Sequence, residues 1–297
     1  MDKLNFANPS YDRNTGKAEW STIYFGSYPQ EEVKDNGLVP TIVQAVYNKD
    51  GDALVDGIKY RRIKQDDTFR YFRWDKIKWR VLWNDGDTIF VIADRGLDCK
   101  AFDNKNEDVA WEHSYLRRWL ADDFYNIAFN RSEQEAIITH EVENITAVSG
   151  GYTGKDGSNN TYDKIYVPSI GELRTSAYGF YDEKVYWEHK INKKINRRFK
   201  PTSYAQACGV WVCDASKLAW YGTKPDSSLE GNCCWWTRSP CGDTKYGSKI
   251  KHNAKVTESG DIDKYYYGHL LHRCLGNAVA VVPVMNLDLN KLTNLEI

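Results

Sequence analysis

This chain predicts an α+β fold, with mixed and antiparallel sheets and a few short helices. Two β-rich runs, Lys78–Trp83 and Thr88–Ala93, flank Asn84-Asp85-Gly86-Asp87, and Asp-Gly between such runs is a strong hairpin signal. A helical stripe follows, in which Tyr115, Leu116, Trp119 and Leu120 recur at helical spacing behind a capping Ser114. The last third is β-rich and centred on Cys234-Trp235-Trp236-Thr237-Arg238-Ser239-Pro240. Adjacent strand residues face opposite ways, so Trp235 and Trp236 must bury on two different surfaces. A strand packed on both sides meets that demand. Strands, then helices, then strands again read as α+β.

Taken in order, residues 1–22 are polar and read as a loose lead-in. Ile23–Gln30 reads as a short strand that ends at Pro29. Residues 31–70 alternate charge and glycine, with β-branched patches such as Thr41-Ile42-Val43, and read as a hairpin insertion ahead of the main sheet. After Asp122-Asp123 the helical stripe continues through Phe124, Tyr125, Ala128 and Phe129. Capping-box spacing occurs three times: Ser132 with Glu135 for a helix over 133–138, Ser169 with Glu172 for 170–177, and Ser203 with Gln206 for 203–208. A Gly/Asn/Ser loop spans 149–161, and Asp163–Pro168 reads as a strand. Further strands are expected at 210–213, 218–222, 234–239, 249–257, 261–267 and 278–287. The expected organisation is one domain over 23–290 with a short tail at 291–297.

Composition narrows the function. A net charge of -1 argues against nucleic acid, because phosphate neutralisation needs a basic stripe. The one basic run, Lys193, Lys194, Arg197, Arg198 and Lys200, reads as a solvated loop or helix face. The chain holds 11 Trp, 20 Tyr and 10 Phe, enough aromatic area for a core, a binding surface or both. No apolar run approaches a membrane span, and no hydrophobic segment follows Met1. Seven cysteines without a CxxC pair fit free thiols in a reducing cytoplasm, or at a surface if a signal has been removed. Cys208 with Cys213, and Cys241 with Cys274, are the pairs that could meet. The sequons at Asn130, Asn144 and Asn159 matter only in a eukaryotic secretory pathway.

Six blocks in one order carry a family resemblance. They are Phe25-Gly26-Ser27-Tyr28-Pro29-Gln30; Ile77–Leu82; Leu97-Asp98 with Phe102-Asp103; Trp111–Leu120 with Phe124–Phe129; Trp235–Pro240; and Val282–Leu287. Together they resemble a bacterial family known as domain of unknown function 6273, over about Ile23 to Leu287. That family looks like a distant relative of the C-type-lectin-like fold, through its paired Trp, its Arg-Ser-Pro corner, a Gly turn and a final strand. The resemblance implies a scaffold for ligand binding. Fold analogy alone supplies no activity. This chain departs from the family pattern where Cys241 precedes Gly242, and where Val282-Pro283 lacks an arginine.

Candidate chemistry is sparse. Trp83-Asn84-Asp85 matches the calcium-ligating triplet of true C-type lectins, but it sits in a hairpin turn where Asn-Asp-Gly is ordinary turn chemistry. No partner cluster of oxygens accompanies it, so no metal or cofactor is expected. His269, His272 and Cys274 have spacing that a metal could use, though exposed side chains are the simpler account. No nucleophile elbow, zincin, P-loop or Rossmann motif is present. Glu112 beside His113 reads as a carboxylate favoured by a helix N-terminus. Trp235, Trp236 and Arg238 read as structural, with the guanidinium satisfied by carbonyls and a carboxylate.

The remaining surface, 243–273, alternates aromatic and adaptable polar groups, as recognition surfaces do. Its candidate binding residues are Tyr246, Lys251, His252, Tyr265, Tyr266, Tyr267 and His269, flanked by Lys249, Asn253, Lys255, Asp263, Lys264 and His272. The expectation is a non-enzymatic module of bacterial origin that recognises a glycan or protein partner. The alternatives are an enzyme related to sulfatase-modifying proteins, with Cys233, Cys234, Cys241 and Cys274 as its thiols, or a structural module of a surface or phage assembly.

Overall fold

The computed structural model describes residues 4–35, 37–104, 109–144, 159–182, 194–217, 226–241, 252–257, 259–263, 278–293 and 295. A hairpin, β1 (Ser10–Asp12) and β2 (Lys17–Glu19), leads into β3 (Thr22–Glu32). A helical turn, α1 (Val39–Val43), precedes β4 (Asp52–Val55), β5 (Ile58–Gln65), β6 (Thr68–Asn84), β7 (Thr88–Ala93) and β8 (Asp98–Cys99). Next come α2 (Tyr115–Trp119), α3 (Tyr125–Ala128) and α4 (Arg131–Ala136), then β9 (Ile137–Ile138), β10 (His140–Val142), β11 (Thr161–Asp163) and β12 (Ile165–Tyr166). The chain continues with α5 (Ser203–Ala207), β13 (Trp235–Cys241), β14 (His252–Val256), β15 (Ile262–Asp263), β16 (Ala280–Val281), β17 (Val284–Asp288) and α6 (Leu289–Leu292).

Two large sheets organise most of these elements, beside the two-stranded β1–β2 and β10–β11 ladders, and the fold is α+β with mostly antiparallel pairing. The larger has eight strands in the order β12-β17-β7-β6-β5-β4, with β3 also on β6 and β9 also on β17. The smaller has five, β15-β14-β13-β16-β8, in which only β13 and β16 run parallel. Residues 278–287, expected as one strand, are two: Ala280 pairs with Cys99 in the smaller sheet, and Val284 pairs with Ile92 in the larger. Pro283 lies between them and lacks the N–H that a continuous ladder needs. The main core fills the space around this crossing with Trp79, Val81, Phe102, Trp111, Trp235, Val282 and Leu287, all at most 1% exposed.

Several sequence expectations need correction. The lead-in is not loose: residues 10–19 form the β1–β2 hairpin, and Trp20 Nε1 donates to the Tyr178 carbonyl at 2.9 Å. The hairpin expected within 31–70 is β4–β5, and it belongs to the larger sheet rather than preceding it, since β5 also pairs along β6. Thr41-Ile42-Val43 is helical, with Pro40 in the first turn, where a missing N–H costs nothing. Asn130 and Glu133, not Ser132 and Glu135, form the capping box of α4, and Ile137-Ile138 pairs with β17. Thr202, not Ser203, caps α5 by accepting from Ala205 N at 3.1 Å. The hydrogen bonds expected between Ser169 and Glu172 are present, but the helix is two short 3-10 turns, Glu172–Arg174 and Ser176–Tyr178. The strand expected at 210–213 is a single bridge from Val212 to Cys233. The 114–129 stripe is helical as expected, with one π-turn over Leu120–Phe124. The expected tail begins inside α6, whose Leu292 is fully buried. The 218–222 strand lies outside the described residues.

Candidate functional site

The residues expected to be structural lie on β13. Trp235 and Trp236 are 0% and 2% exposed, on opposite faces of the strand, as the sequence requires. Trp235 meets Phe199 edge-on with ring centroids 5.0 Å apart, and Trp236 meets Phe102 at 5.6 Å. Both indole N–H groups donate to carbonyls, Trp235 to Arg197 at 3.4 Å and Trp236 to Lys100 at 2.9 Å. Arg238 is 5% exposed and forks onto Glu172, with Nη1 to Oε2 at 2.6 Å and Nη2 to Oε1 at 3.0 Å. It also donates to the Val167 and Glu143 carbonyls at 3.1 and 3.4 Å. The expected carbonyls and carboxylate are therefore the observed partners.

The β14–β15 turn is pinned as firmly. Gly260 has φ +83°, and a Cβ there would meet Ile195 Cγ2 at 2.5 Å, so only glycine fits. Arg197 Nε donates to the Gly260 carbonyl at 3.2 Å, and Arg198 Nε to the Ser259 carbonyl at 2.9 Å. The basic run is thus not a solvated face throughout, because Arg197 is 1% exposed. Lys255 also leaves the recognition surface: it pairs with Trp236 across the sheet and is buried.

Of the seven candidate binding residues, His252 is described, as the first residue of β14 opposite Cys241. Tyr246, Lys251, Tyr265, Tyr266, Tyr267 and His269 lie outside the described residues, as do Lys249, Lys264, His272 and Cys274. In chain order, 242–251 link β13 to β14, and 264–277 run from β15 to Ala278. Among the described residues no group of three or more His, Cys, Asp or Glu could hold a metal ion. Cys208 and Cys213 carry thiols and are not joined in a disulfide. Glu112 accepts from Asn159 at 3.2–3.3 Å and fixes the start of the 159–163 segment.

Sequence reasoning missed a polar cluster at the seam between the sheets. Asp98 on β8 is 1% exposed and accepts from Tyr28 Oη at 2.6 Å, Cys99 N at 2.6 Å and Lys100 Nζ at 3.2 Å. Tyr204 from α5 stands edge-on to Tyr28 at 5.7 Å, and its hydroxyl accepts from Arg61 Nη1 at 3.5 Å. Burial pushes Tyr28 well above its ordinary value, and the Asp98 charge adds to the shift. Burial and Asp98 likewise push the Cys99 and Cys208 thiols up to about 12. Burial alone would lower the Lys100 ammonium, but Asp98, together with Cys208 and Tyr115, holds it above its ordinary value. Thiols that stay protonated are poor nucleophiles. The buried carboxylate ties β3 to β8, and Tyr204 packs α5 against Tyr28. Tyr28 and Asp98 each stood in a block that carries the family resemblance, but 70 residues separate them, so no local spacing pointed to their contact.

The model of a family described as a domain of unknown function (DUF6273) matches residues 86–289, well over half of the chain. The chain belongs to the DUF6273 family. The match starts at the β6–β7 turn, later than the residues from Ile23 suggested, so Phe25–Gln30 and Ile77–Leu82 precede it. Trp111–Phe129, Trp235–Pro240 and Val282–Leu287 lie within it. No curated protein and no solved structure matches the chain. Among the described residues no helix is long and apolar enough to cross a membrane.

Proposed function

We propose that this DUF6273 protein is a non-enzymatic bacterial binding module on a C-type-lectin-like scaffold. In this reading it recognises a glycan or protein partner through Tyr246, Lys251, His252, Tyr265, Tyr266, Tyr267 and His269. The observation that supports it best is the β13–β14–β15 base, held on one side by Arg238 and at its turn by Arg197 and Arg198. The two tyrosine-bearing segments start from the ends of β13 and β15, so their chemistry hangs on fixed strands. Tyr265 and Tyr267 would share one face of an extended segment, offering ring area for stacking on a sugar or anchoring a protein.

Among the described residues, the buried carboxylates Asp163 and Glu133 are spent on structure, which favours binding over catalysis. Asp163 takes Trp111 Nε1, Arg117 Nε and Thr161 Oγ1 at 2.7–2.9 Å. Glu133 takes Gly26 N, Asn130 N and Lys76 Nζ at 2.9–3.3 Å. The test is Tyr265→Ala/Tyr267→Ala, assayed for melting and for capture on a glycan array and in a pull-down. The melting temperature should stay within about 2 °C while capture is lost, because exposed side chains contribute little to stability. A drop of ten degrees or more would make these rings core and remove the proposed site.

A further inference from the structure

We propose that a small oxyanion binds between the β1–β2 hairpin and the 173–182 turn, held by the Arg174 and Arg197 guanidinium groups and the Tyr11 hydroxyl. Arg197 is 1% exposed, yet all three of its hydrogen bonds go to backbone carbonyls, those of Gly260, Leu173 and Tyr181. It forms no ion pair among the described residues, and a buried cation without one is costly. Arg174 donates Nη2 to the Asp182 carbonyl at 3.4 Å, while its Nε is buried without a partner. The Tyr11 hydroxyl is buried without a partner as well.

These groups converge on one turn. Arg197 reaches the carbonyls of Leu173 and Tyr181, the neighbours of Arg174 and Asp182, so both guanidinium groups grip the same segment. Tyr11 lies within the fields of Arg197, Arg13, Tyr181 and Asp182. Of the nearby carboxylates, Arg13 holds Asp182, and Ser259 Oγ donates to Asp261 Oδ2 at 2.8 Å. Burial, with Asp261 opposing and Arg174 reinforcing, takes Arg197 down to about 10, so a bound anion would relieve both desolvation and repulsion. Arg174 is half-buried, so the cluster meets solvent on its side. Planar guanidinium forks select oxyanions, whether a phosphate, a sulfate or the carboxylate of an acidic sugar. The inference does not depend on the tyrosine-bearing face.

The experiment titrates the full chain with phosphate, sulfate and glucuronate against chloride at matched ionic strength, reading melting temperature and heat of binding. Wild type should show saturable binding of at least one of the three, weakened about tenfold or more in Arg174→Gln and less in Tyr11→Phe, as loss of a charged hydrogen bond implies. Binding confined to glucuronate assigns the site to acidic sugars. Binding of phosphate or sulfate assigns it to tetrahedral anions. No saturable binding by wild type, or equal binding by wild type and both folded variants, overturns the proposal and leaves Arg197 satisfied by carbonyls alone.

Discussion

Two regions of the molecule house their arginines differently. Around the satellite core of Ile42, Val55, Tyr60 and Tyr71, guanidinium groups lie over rings or against carboxylates, Arg61 in a largely buried fork onto Asp52 and the others nearer the surface. Arg62 sits 4.1 Å from the Tyr47 ring and 4.6 Å from Phe69, and Arg70 forks onto Glu32 at 2.7 Å. In the five-stranded sheet and its supports, Arg197 and Arg238 are at most 5% exposed and gather carbonyls from distant segments. Surface pairs contribute little and can be lost one at a time. A buried guanidinium that takes its partners from several segments locks them in one arrangement. The satellite lies outside the family match and the locked sheet lies inside it.

The comparison can be broken by mutation. The largest effect is expected from Trp236→Ala, which should cost about 3–5 kcal/mol by denaturant unfolding, as truncation of a buried aromatic does. A loss under about 1 kcal/mol would mean that β13 is not a rigid base. Tyr60→Ala should cost less, about 2–3 kcal/mol, because a satellite core relaxes around a cavity more readily. It should loosen residues 39–65 and leave the five-stranded sheet intact, as read by limited proteolysis.

The smallest effect is electrostatic. Hydrogen bonds from Arg70 hold the Glu32 carboxyl below its ordinary 4.5. A carboxylate depressed in the folded state adds stability that is present above 4.5 and lost as pH falls through the folded value. Glu32→Gln should therefore flatten the acid limb of a stability–pH curve by at most about 1 kcal/mol, the pair being a surface one. An unchanged acid limb would show that the pair carries nothing.

Local signals were legible in the sequence where one residue decides the outcome. Ser114 caps α2, Asp85 organises the β6–β7 turn, and the paired Trp face both ways. They blurred where neighbours compete, since Asn130 and Thr202 precede Ser132 and Ser203 and take the caps one or two residues earlier. Contacts made only by topology were not legible. Tyr28 meets Asp98, and Arg238 meets Glu172 across 66 residues, with no periodicity to announce either. The burial of Arg197 was hidden for the same reason, because a basic run looks solvated until the carbonyls that face it are placed.

Native-state hydrogen exchange tests the contrast most directly, comparing peptides over 233–240 with peptides over 52–65 in one experiment. Amides of β13 should exchange only through global unfolding, and those of β4 and β5 through local opening at least about tenfold faster. Equal protection in the two regions, or faster exchange in β13, would contradict a locked base beneath the proposed recognition face.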